Sequence, residues 1–264
     1  MTAAARAALG RIPGFAGLAA EARIEPLAGL SNRAFRVTVP SGDFALRLAG
    51  DTPRNRAAEA TNARRAAAAG IGPEVIHAKP RAGVMLCRWI AGARPFDAAL
   101  AADPAALGRA AGLLRRLNRS GLDFVGRLDP AAAILAEHER CSHQGIPPPC
   151  SETAARAVAE RLRSVWADEA APCHGDACAA NLLDDGVRAW LIDYEYSGGG
   201  DPLWDLAYLA ADTGLDDARA LLAAYGETAP TADLIARFEG QRAAAALLIA
   251  LWMATRVAPR SGRR

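Results

Sequence analysis

The chain has 264 residues, 52% of them hydrophobic, and a formal net charge of +2. This length is enough to bury a substantial core, either in one large domain or in two lobes. A net charge so close to zero argues against a protein that binds nucleic acid through a broad basic face, so we expect no nucleic-acid partner.

The chain also lacks the long apolar segments that membrane insertion requires. Its alanine-rich start is interrupted by Arg6, Arg11 and Glu21, so it has no continuous signal-peptide core. The longest strongly apolar stretch lies between Arg242 and Arg256 and holds 13 residues, whereas a membrane-spanning helix needs about 20. We therefore expect a soluble, cytoplasmic protein that does not bind a membrane.

The chain has five cysteines, an odd number, and they lack the regular spacing of a disulfide framework. This favours free thiols in a reducing compartment. One stretch does combine histidines and cysteines that could bind zinc. It contains no C-x-x-C pair and runs into three consecutive prolines, so ordinary surface residues are the favoured interpretation and a zinc site is the alternative. The four residues in question are His138, Cys141, His143 and Cys150.

Short β-like runs dominate the first 91 residues, and the later part is mainly helical. The predicted strands cover residues 23–30, 34–40, 44–50, 73–78 and 83–92. A strong helix-forming segment, residues 53–70, lies between the third and fourth strands and ends at Gly70. This order predicts an α+β, bilobal chain with an antiparallel five-stranded lobe (1–91), a hinge at about 87–92 and a mainly helical lobe (92–264).

The helical part contains one predicted hairpin, which carries a cluster of polar residues. Its strands, "ANLL" and "VRAWLID", are separated by Asp-Asp-Gly, a turn signal. Asn181 begins the first strand and Asp193 ends the second, so they should lie side by side, and Asp176 precedes Asn181 by five residues. Two carboxylates and an amide oxygen suit Mg²⁺. The alternative is a set of capping and turn residues, but the hairpin needs only its turn.

This segment resembles the phosphotransferases with a protein-kinase-like fold, namely aminoglycoside phosphotransferases and choline, ethanolamine and thiamine kinases. Their H-x-D motif, later Asn and "ID" element correspond here to His174, Asp176, Asn181 and Asp193. The resemblance implies that Asp176 is the catalytic base that orients the acceptor hydroxyl. It implies that Asn181 and Asp193 are Mg²⁺ ligands, that His174 holds the loop together, and that ATP and Mg²⁺ are the cofactors.

The predicted third strand fits the same resemblance. Its alternation places Ala45 and Arg47 on the face opposite Phe44, Leu46 and Leu48. The family carries a small residue under the adenine and a cation on the phosphates, which implies these roles for Ala45 and Arg47. A partner for the cation on the following helix is Glu59. The alternative is that Arg47 is an edge-strand surface residue.

Two further segments correspond to nucleotide-binding parts of the family. Ser31 and Asn32, in "GLSN", match its phosphate-covering loop, a weak signal alone because it holds one glycine. Cys87 and Trp89 occupy the place of the hinge, where backbone groups would bind the adenine edge. The resemblance extends from about Leu27 to Trp252.

The sequence "DYEY" after the metal aspartate is similar to the choline, ethanolamine and thiamine kinase branch. Glu195 is placed to supplement the metal site or to contact the acceptor. Nearby aromatic rings could hold a quaternary ammonium group, although buried aromatics are usually core, and we expect at least three of these five to be core. The aromatic residues are Tyr194, Tyr196, Trp204, Tyr208 and Trp252; together with Glu195, the predicted acceptor-binding set is Tyr196, Trp204 and Trp252.

Other features bear on the acceptor. Residues 197–242 carry eight acids and three arginines, which either attract a cationic acceptor or form a solvated face. Asp201 and Asp205 match the family's D-P-x-x-D-L element, which implies that they brace the active-site loops. Asn118 stands where relatives commonly place a histidine, and small residues between Asp176 and Asn181 replace bulkier ones. Both departures leave the acceptor's identity open.

The sequence therefore predicts an ATP-dependent kinase that phosphorylates a small cationic hydroxylated substrate, an amino-alcohol such as choline or ethanolamine. One alternative is phosphorylation of an aminoglycoside or another hydroxylated amine. A further alternative is a pseudokinase that binds nucleotide as a regulatory module. The sequence leaves the oligomeric state open, with a homodimer among the options.

Overall fold

The computed structural model of the protein describes residues 2–27, 32–50, 55–167, 169–226 and 229–257. Within them a five-stranded antiparallel sheet, with strand order β1-β2-β3-β5-β4, is followed by a mainly helical region, which confirms the predicted fold class. The strands of this sheet are β1 (Arg23–Pro26), β2 (Arg33–Val39), β3 (Gly42–Leu48), β4 (Val75–Lys79) and β5 (Val84–Arg88).

The helices and the shorter strands complete the chain. The helices are α1 (Thr2–Leu9), α2 (Arg56–Ala68), α3 (Ala98–Ala101), α4 (Pro104–Asn118), α5 (Pro130–His143), α6 (Glu152–Val165), α7 (Trp204–Thr213), α8 (Ala218–Tyr225) and α9 (Ala232–Val257). The shorter strands are β6 (Arg94–Pro95), β7 (Ala171–Cys173), β8 (Leu182–Asp184), β9 (Ala189–Leu191) and β10 (Gly198–Gly200). Among the described residues, no helix combines the length and apolarity needed to cross a bilayer.

One face of the sheet is buried because its strands alternate apolar and polar residues. On β3, Phe44, Leu46 and Leu48 point into a core that α1 covers from outside with Ala5 and Leu9. The helix α1 was not predicted from the sequence. The opposite face of β3, with Ala45 and Arg47, is left for the cleft between the sheet and the helical region.

The helix α2 belongs to the sheet region by sequence and contacts β4, and it also packs on the helical region. It starts at the cap residue Asn55, whose side chain accepts from the N–H of Ala58. Its residues Ala63 and Ala66, with Ile71 just after it, lie in the same buried core as α4 and β9. Most buried residues of the sheet belong to a separate core, so α2 shares a core with the helical region although it precedes residue 91 in sequence.

The predicted hairpin is present as β8 and β9, with Leu182 opposite Leu191. Its turn is longer than predicted, because Asp184 belongs to β8 and the connection runs through Asp185–Arg188. Asp184 is buried and accepts two hydrogen bonds from Arg109 on α4, at 2.8 and 3.0 Å. This pair fixes the hairpin to the helical core, and Asn181 and Asp193, which flank its two strands, line the cleft.

Candidate active site

A cavity of about 1120 Å³ lies between the sheet and the helical region. It brings together almost all of the residues that the sequence analysis assigned to a site. Its walls include Asn32, Ala45, Arg47, Cys87, Trp89, Asp176, Asn181, Asp193, Glu195, Tyr196, Trp204 and Trp252. Glu59 lies behind the wall as a partner of Arg47, and Ser31 lies outside the described residues.

The loop that carries Asp176 follows β7 and is held by buried groups. The imidazole Nε2 of His174 lies 2.9 Å from the carbonyl oxygen of Ile192, an acceptor, so Nε2 carries the proton. Burial lowers the pKa of His174, which keeps the ring neutral. Gly175 has a φ of 83°, and a Cβ there would lie 2.5 Å from the Tyr196 carbonyl oxygen, so only glycine fits.

Asp205, at the start of α7, braces this loop from beneath. Its buried carboxylate accepts hydrogen bonds from the backbone N–H groups of His174 and Gly175, both at 2.8 Å. Asn118 donates to the same carboxylate at 3.4 Å and accepts from the hydroxyl of Tyr225 at 2.8 Å. Asn118 is therefore a support for the loop and does not line the cavity, so its departure from the family pattern has no direct contact with an acceptor.

Asp176 is tied to Asn181 and to Tyr208. The Nδ2 group of Asn181 donates to Oδ2 of Asp176 at 2.9 Å and to its backbone oxygen at 3.0 Å, and the Tyr208 hydroxyl donates to the same carboxylate. Burial raises the pKa of Asp176 to about 7, against the lowering effect of Tyr208, and the nearby Asp193 and Glu195 raise it further.

Asp193 is the metal-ligand candidate, and its backbone is strained. It is the one non-glycine residue with positive φ in the described chain, at 62°, a conformation that costs free energy and is typical of functional positions. Its Oδ1 lies 2.6 Å from Arg47 Nη1. Asn32 Nδ2 donates to Oδ2 of Asp193 at 3.2 Å and to Oε2 of Glu195 at 3.3 Å, so both carboxylates accept hydrogen bonds from the same amide group.

Arg47 lies between two carboxylates. One guanidinium nitrogen pairs with Glu59 on α2 and the other with Asp193, and all three side chains are mostly buried. The pair with Glu59 confirms the predicted contact. A cation held in place by charge-assisted hydrogen bonds costs little further ordering when a phosphate binds it.

The oxygen donors around Asp193 fit Mg²⁺. The amide nitrogen of Asn181 is engaged with Asp176, so its carbonyl oxygen lies on the other side of the amide group. The Ile192 N–H donates to the Asn181 backbone oxygen at 2.9 Å, which holds the two strand ends together. Across the described ranges, no group of three or more His, Cys, Asp or Glu side chains could hold a metal alone. Mg²⁺ needs few protein ligands, since it completes its octahedron with water and phosphate oxygens.

The comparisons with known proteins agree with this geometry. A model of the phosphotransferase enzyme family matches residues 23–239, which is most of the chain. The chain belongs to this family. The solved structure of a choline/ethanolamine kinase family protein from Mesorhizobium loti is 36% identical to this chain, with a TM-score of 0.82 and coverage of 98% of this chain and 87% of that one.

Two more distant relatives of this phosphotransferase are both named LicA. The choline kinase LicA from Streptococcus pneumoniae is 19% identical, with a TM-score of 0.70 and coverage of 92% of this chain and 87% of that chain, a likeness of fold. Protein LicA of Haemophilus influenzae is 26% identical over 207 residues, 72% of this chain and 58% of that protein. The phosphotransferase therefore matches less than two thirds of the length of the Haemophilus relative.

The aromatic residues of the phosphotransferase divide into core and cavity groups. Tyr194, Trp204 and Tyr208 are buried, which confirms the expectation that at least three of the five would be core. Trp204 nevertheless reaches the cavity wall, and its Nε1 lies 3.3 Å from the Gly175 carbonyl oxygen. Of the five, the two rings that remain partly exposed in the cavity are Tyr196 and Trp252.

The zinc alternative has no geometric support in the described part of the phosphotransferase. His138 Nε2 contacts the Cys150 carbonyl oxygen at 3.1 Å, Cys141 is buried, and His143 lies on the surface beside Glu139. The favoured interpretation of surface residues is also wrong for Cys141 and His138, because α5 turns both toward the core. All five cysteines are free, as predicted.

The sequence analysis did not identify one buried polar residue close to the active site. Asn62 on α2 is completely buried and hydrogen-bonds to two loops of the helical region. The available signal was a polar residue three positions after Glu59, hence on the same helix face, in a segment built mainly from alanine and arginine.

Proposed function

We propose that this phosphotransferase is an ATP-dependent kinase that transfers the γ-phosphoryl group to the hydroxyl of an amino-alcohol such as choline or ethanolamine. The observation that carries the proposal is the position of Asp176. It shares one cavity with the sheet cation Arg47 and with the partly exposed rings of Tyr196 and Trp252. A base between a phosphate-binding cation and an aromatic, acid-lined pocket suits phosphoryl transfer to a cationic alcohol.

The nucleotide end of the cavity is formed by the cleft face of the sheet. Ala45 lies opposite Cys87 on β5, and Arg47 lies opposite Met85, so a small side chain and an apolar one flank the path to the cation. Burial raises the pKa of Cys87 to about 11, so its thiol stays protonated and acts as an apolar wall. We assign the adenine to this wall and the phosphates to Arg47.

The residues that would hold Mg²⁺ are Asn181 and Asp193, with Glu195 beside them. When bound, this ion would neutralise phosphate charge as it builds up during transfer. Arg47 then orients the nucleotide through its guanidinium, which Glu59 holds from behind. Asn32 sits over both carboxylates, so it is placed to cover the phosphates.

Asp176 supplies the base. Phosphoryl transfer has a loose transition state, so the main task of this carboxylate is to hold the acceptor hydroxyl in line and accept its proton late. Asn181 and Tyr208 fix the orientation of the carboxylate. A pKa near 7 makes the group a better proton acceptor at neutral pH than an ordinary aspartate.

The amino-alcohol assignment rests on the acceptor end and on one relative. Tyr196 and Trp252 present aromatic faces, and Asp212 and Glu195 add negative charge on the cavity wall. The relative that is 36% identical bears the name of the choline/ethanolamine kinase family. The charge argument is weaker than it was at the sequence level, because Asp201 and Asp205 are buried and hydrogen-bonded within the protein.

The test is a panel of acceptors assayed for ADP release with ATP and Mg²⁺. It contains choline, ethanolamine, thiamine and several aminoglycosides, with Asp176→Asn as the inactive control. We expect turnover on an amino-alcohol, at least tenfold above that on any aminoglycoside in kcat/KM. Preference for an aminoglycoside would support the drug-modifying alternative. ATP binding without turnover on any acceptor would support the pseudokinase.

A further inference from the structure

Asn62 forms a buried clasp between α2 and two loops of the helical region. Its Oδ1 accepts from the Val125 N–H at 2.8 Å, and its Nδ2 donates to the Val125 carbonyl oxygen at 3.1 Å. The same Nδ2 donates to Ser197 Oγ at 3.0 Å and lies 3.3 Å from the Ser197 carbonyl oxygen. Both ends of this amide are therefore engaged by backbone and side-chain groups of the opposite region.

One of the two loops that Asn62 joins also carries residues of the active site. Ser197 follows Asp193 and Glu195 by a few residues, and its hydroxyl donates to the Tyr194 carbonyl oxygen at 2.7 Å. Next to it, the Gly199 N–H donates to the Gly126 carbonyl oxygen at 2.9 Å, which joins the two loops to each other. Asn62 thus connects α2 directly to the segment that carries the metal-ligand candidate.

Other contacts hold α2 to the helical region at its far end. The Gly70 carbonyl oxygen accepts from Arg116 at 2.9 Å and from Arg188 at 2.5 Å, and the Ile71 carbonyl oxygen accepts from the Leu191 N–H at 3.0 Å. With Ala63 and Ala66 in the helical core, α2 is fixed along its length. Glu59, three residues before Asn62, then presents its carboxylate to Arg47 from a fixed position.

We propose that Asn62 is a positioning residue for the nucleotide site: it fixes α2 on the loop that carries Asp193 and Glu195 and on the Val125 loop beside it, and thereby holds Glu59 where it pairs with Arg47. The reason is geometric. Glu59 and Asn62 lie on one face of α2, less than one turn apart, so a change in the position of the helix relative to Ser197 also changes the position of Glu59 relative to Arg47. Arg47 would then lose the partner that orients it toward phosphate.

This inference rests on the proposed role of Arg47 in nucleotide binding, so its test measures nucleotide binding without any acceptor. ATP with Mg²⁺ is titrated by calorimetry into the unmodified protein, Asn62→Ala, Glu59→Gln and the double variant. We expect Asn62→Ala to weaken ATP binding about tenfold, the scale of coupling between residues of one network. In the Glu59→Gln background the same change should weaken binding by less than about twofold, because the pair it supports is already lost.

A matched control separates positioning from general stability. Ala155→Gly on α6 lies in a different buried cluster and should lower the melting temperature without changing the Kd for ATP. If Asn62→Ala does not fold, Ser197→Ala removes one partner of the clasp and is measured in the same cycle, with a smaller coupled loss expected.

The outcomes are distinct. Equal loss of ATP affinity in both backgrounds, or no loss from Asn62→Ala in the unmodified background, overturns the positioning role while leaving the proposed function intact. Failure of the unmodified protein to bind ATP overturns the proposed function, and the inference falls with it. A loss confined to the background that retains Glu59 supports the inference.

Discussion

The guanidinium Nη1 of Arg47 lies 2.6 Å from the carboxylate Oδ1 of Asp193, which joins the sheet to the helical region across the cleft. Arg47 also pairs with Glu59, so one cation serves two carboxylates that are both largely buried. Removing the cation from a buried carboxylate strongly destabilises the folded protein. The metal-ligand candidate Asp193 therefore depends on the phosphate-binding candidate Arg47.

Replacing Arg47 tests whether its shape matters as well as its charge. Lysine carries one compact ammonium group and cannot hold Glu59 and Asp193 through separate nitrogens as arginine does. We expect Arg47→Lys to lower kcat/KM for ATP about tenfold and Arg47→Met about 10²-fold, measured by steady-state kinetics. Arg23→Gln, on the exposed side of β1, is the control. Full activity in Arg47→Met would show that the sheet cation does not contact nucleotide.

Asp193→Asn tests the metal assignment. Asparagine tolerates the positive φ at this position, so the fold should remain intact, as circular dichroism and the melting temperature would show. The loss of the carboxylate should lower turnover at least 10²-fold and move the Mg²⁺ concentration for half-maximal activity upward. Normal turnover with an unchanged Mg²⁺ requirement would remove Asp193 from the metal site.

Asp176→Asn keeps the shape of the proposed catalytic side chain and removes its charge. Because Asp176 is expected to act on the acceptor hydroxyl, the Kd for ATP should change little while kcat falls about 10²-fold or more, the usual scale for loss of a general base. Calorimetry and steady-state turnover on the best acceptor give the two quantities. Turnover within a few-fold of the unmodified protein would make Asp176 a structural residue and favour the pseudokinase.

The same substitution has a predicted effect on stability that depends on pH. The folded pKa of Asp176, about 7, lies above its unfolded value near 3.8, so the folded state binds the proton more tightly. Its contribution to stability is therefore full below about pH 4 and is lost as the pH rises through about 7. Asp176→Asn removes this loss, so it should raise the melting temperature more at pH 8 than at pH 5 in EDTA without nucleotide. An equal effect at both pH values would contradict the raised pKa.

The sequence predicted the sheet and the polar cluster because both follow short-range patterns. Alternation on β3 placed Arg47 on the cleft face, and the hairpin signal placed Asn181 and Asp193 at neighbouring strand ends. These inferences needed only the period of a strand and the geometry of a turn. The strained backbone of Asp193 was not accessible in this way, because it depends on how β9 leads into the following loop.

Features that depend on long-range packing were not predicted. The helix α1 covers the sheet, and nothing in its alanine-rich sequence indicates which surface it meets. The partners of Asn62 lie 63 and 135 residues away, so only the folded chain shows that this amide is satisfied. In the same way, His138 and Cys141 have polar or reactive side chains that suggest exposure, and α5 buries them through contacts with distant segments.

The separate core of the sheet has a consequence for how the chain folds during synthesis. The sheet and α1 bury residues that all lie between Ala5 and Leu86, so that core can assemble from the first part of the chain to emerge. Helix α2 is made within the same interval, but the Gly70 carbonyl oxygen that follows it is bonded by Arg116 and Arg188, 46 and 118 residues later. Contacts this far apart in sequence slow folding, so α2 completes its contacts with the helical region only late in translation.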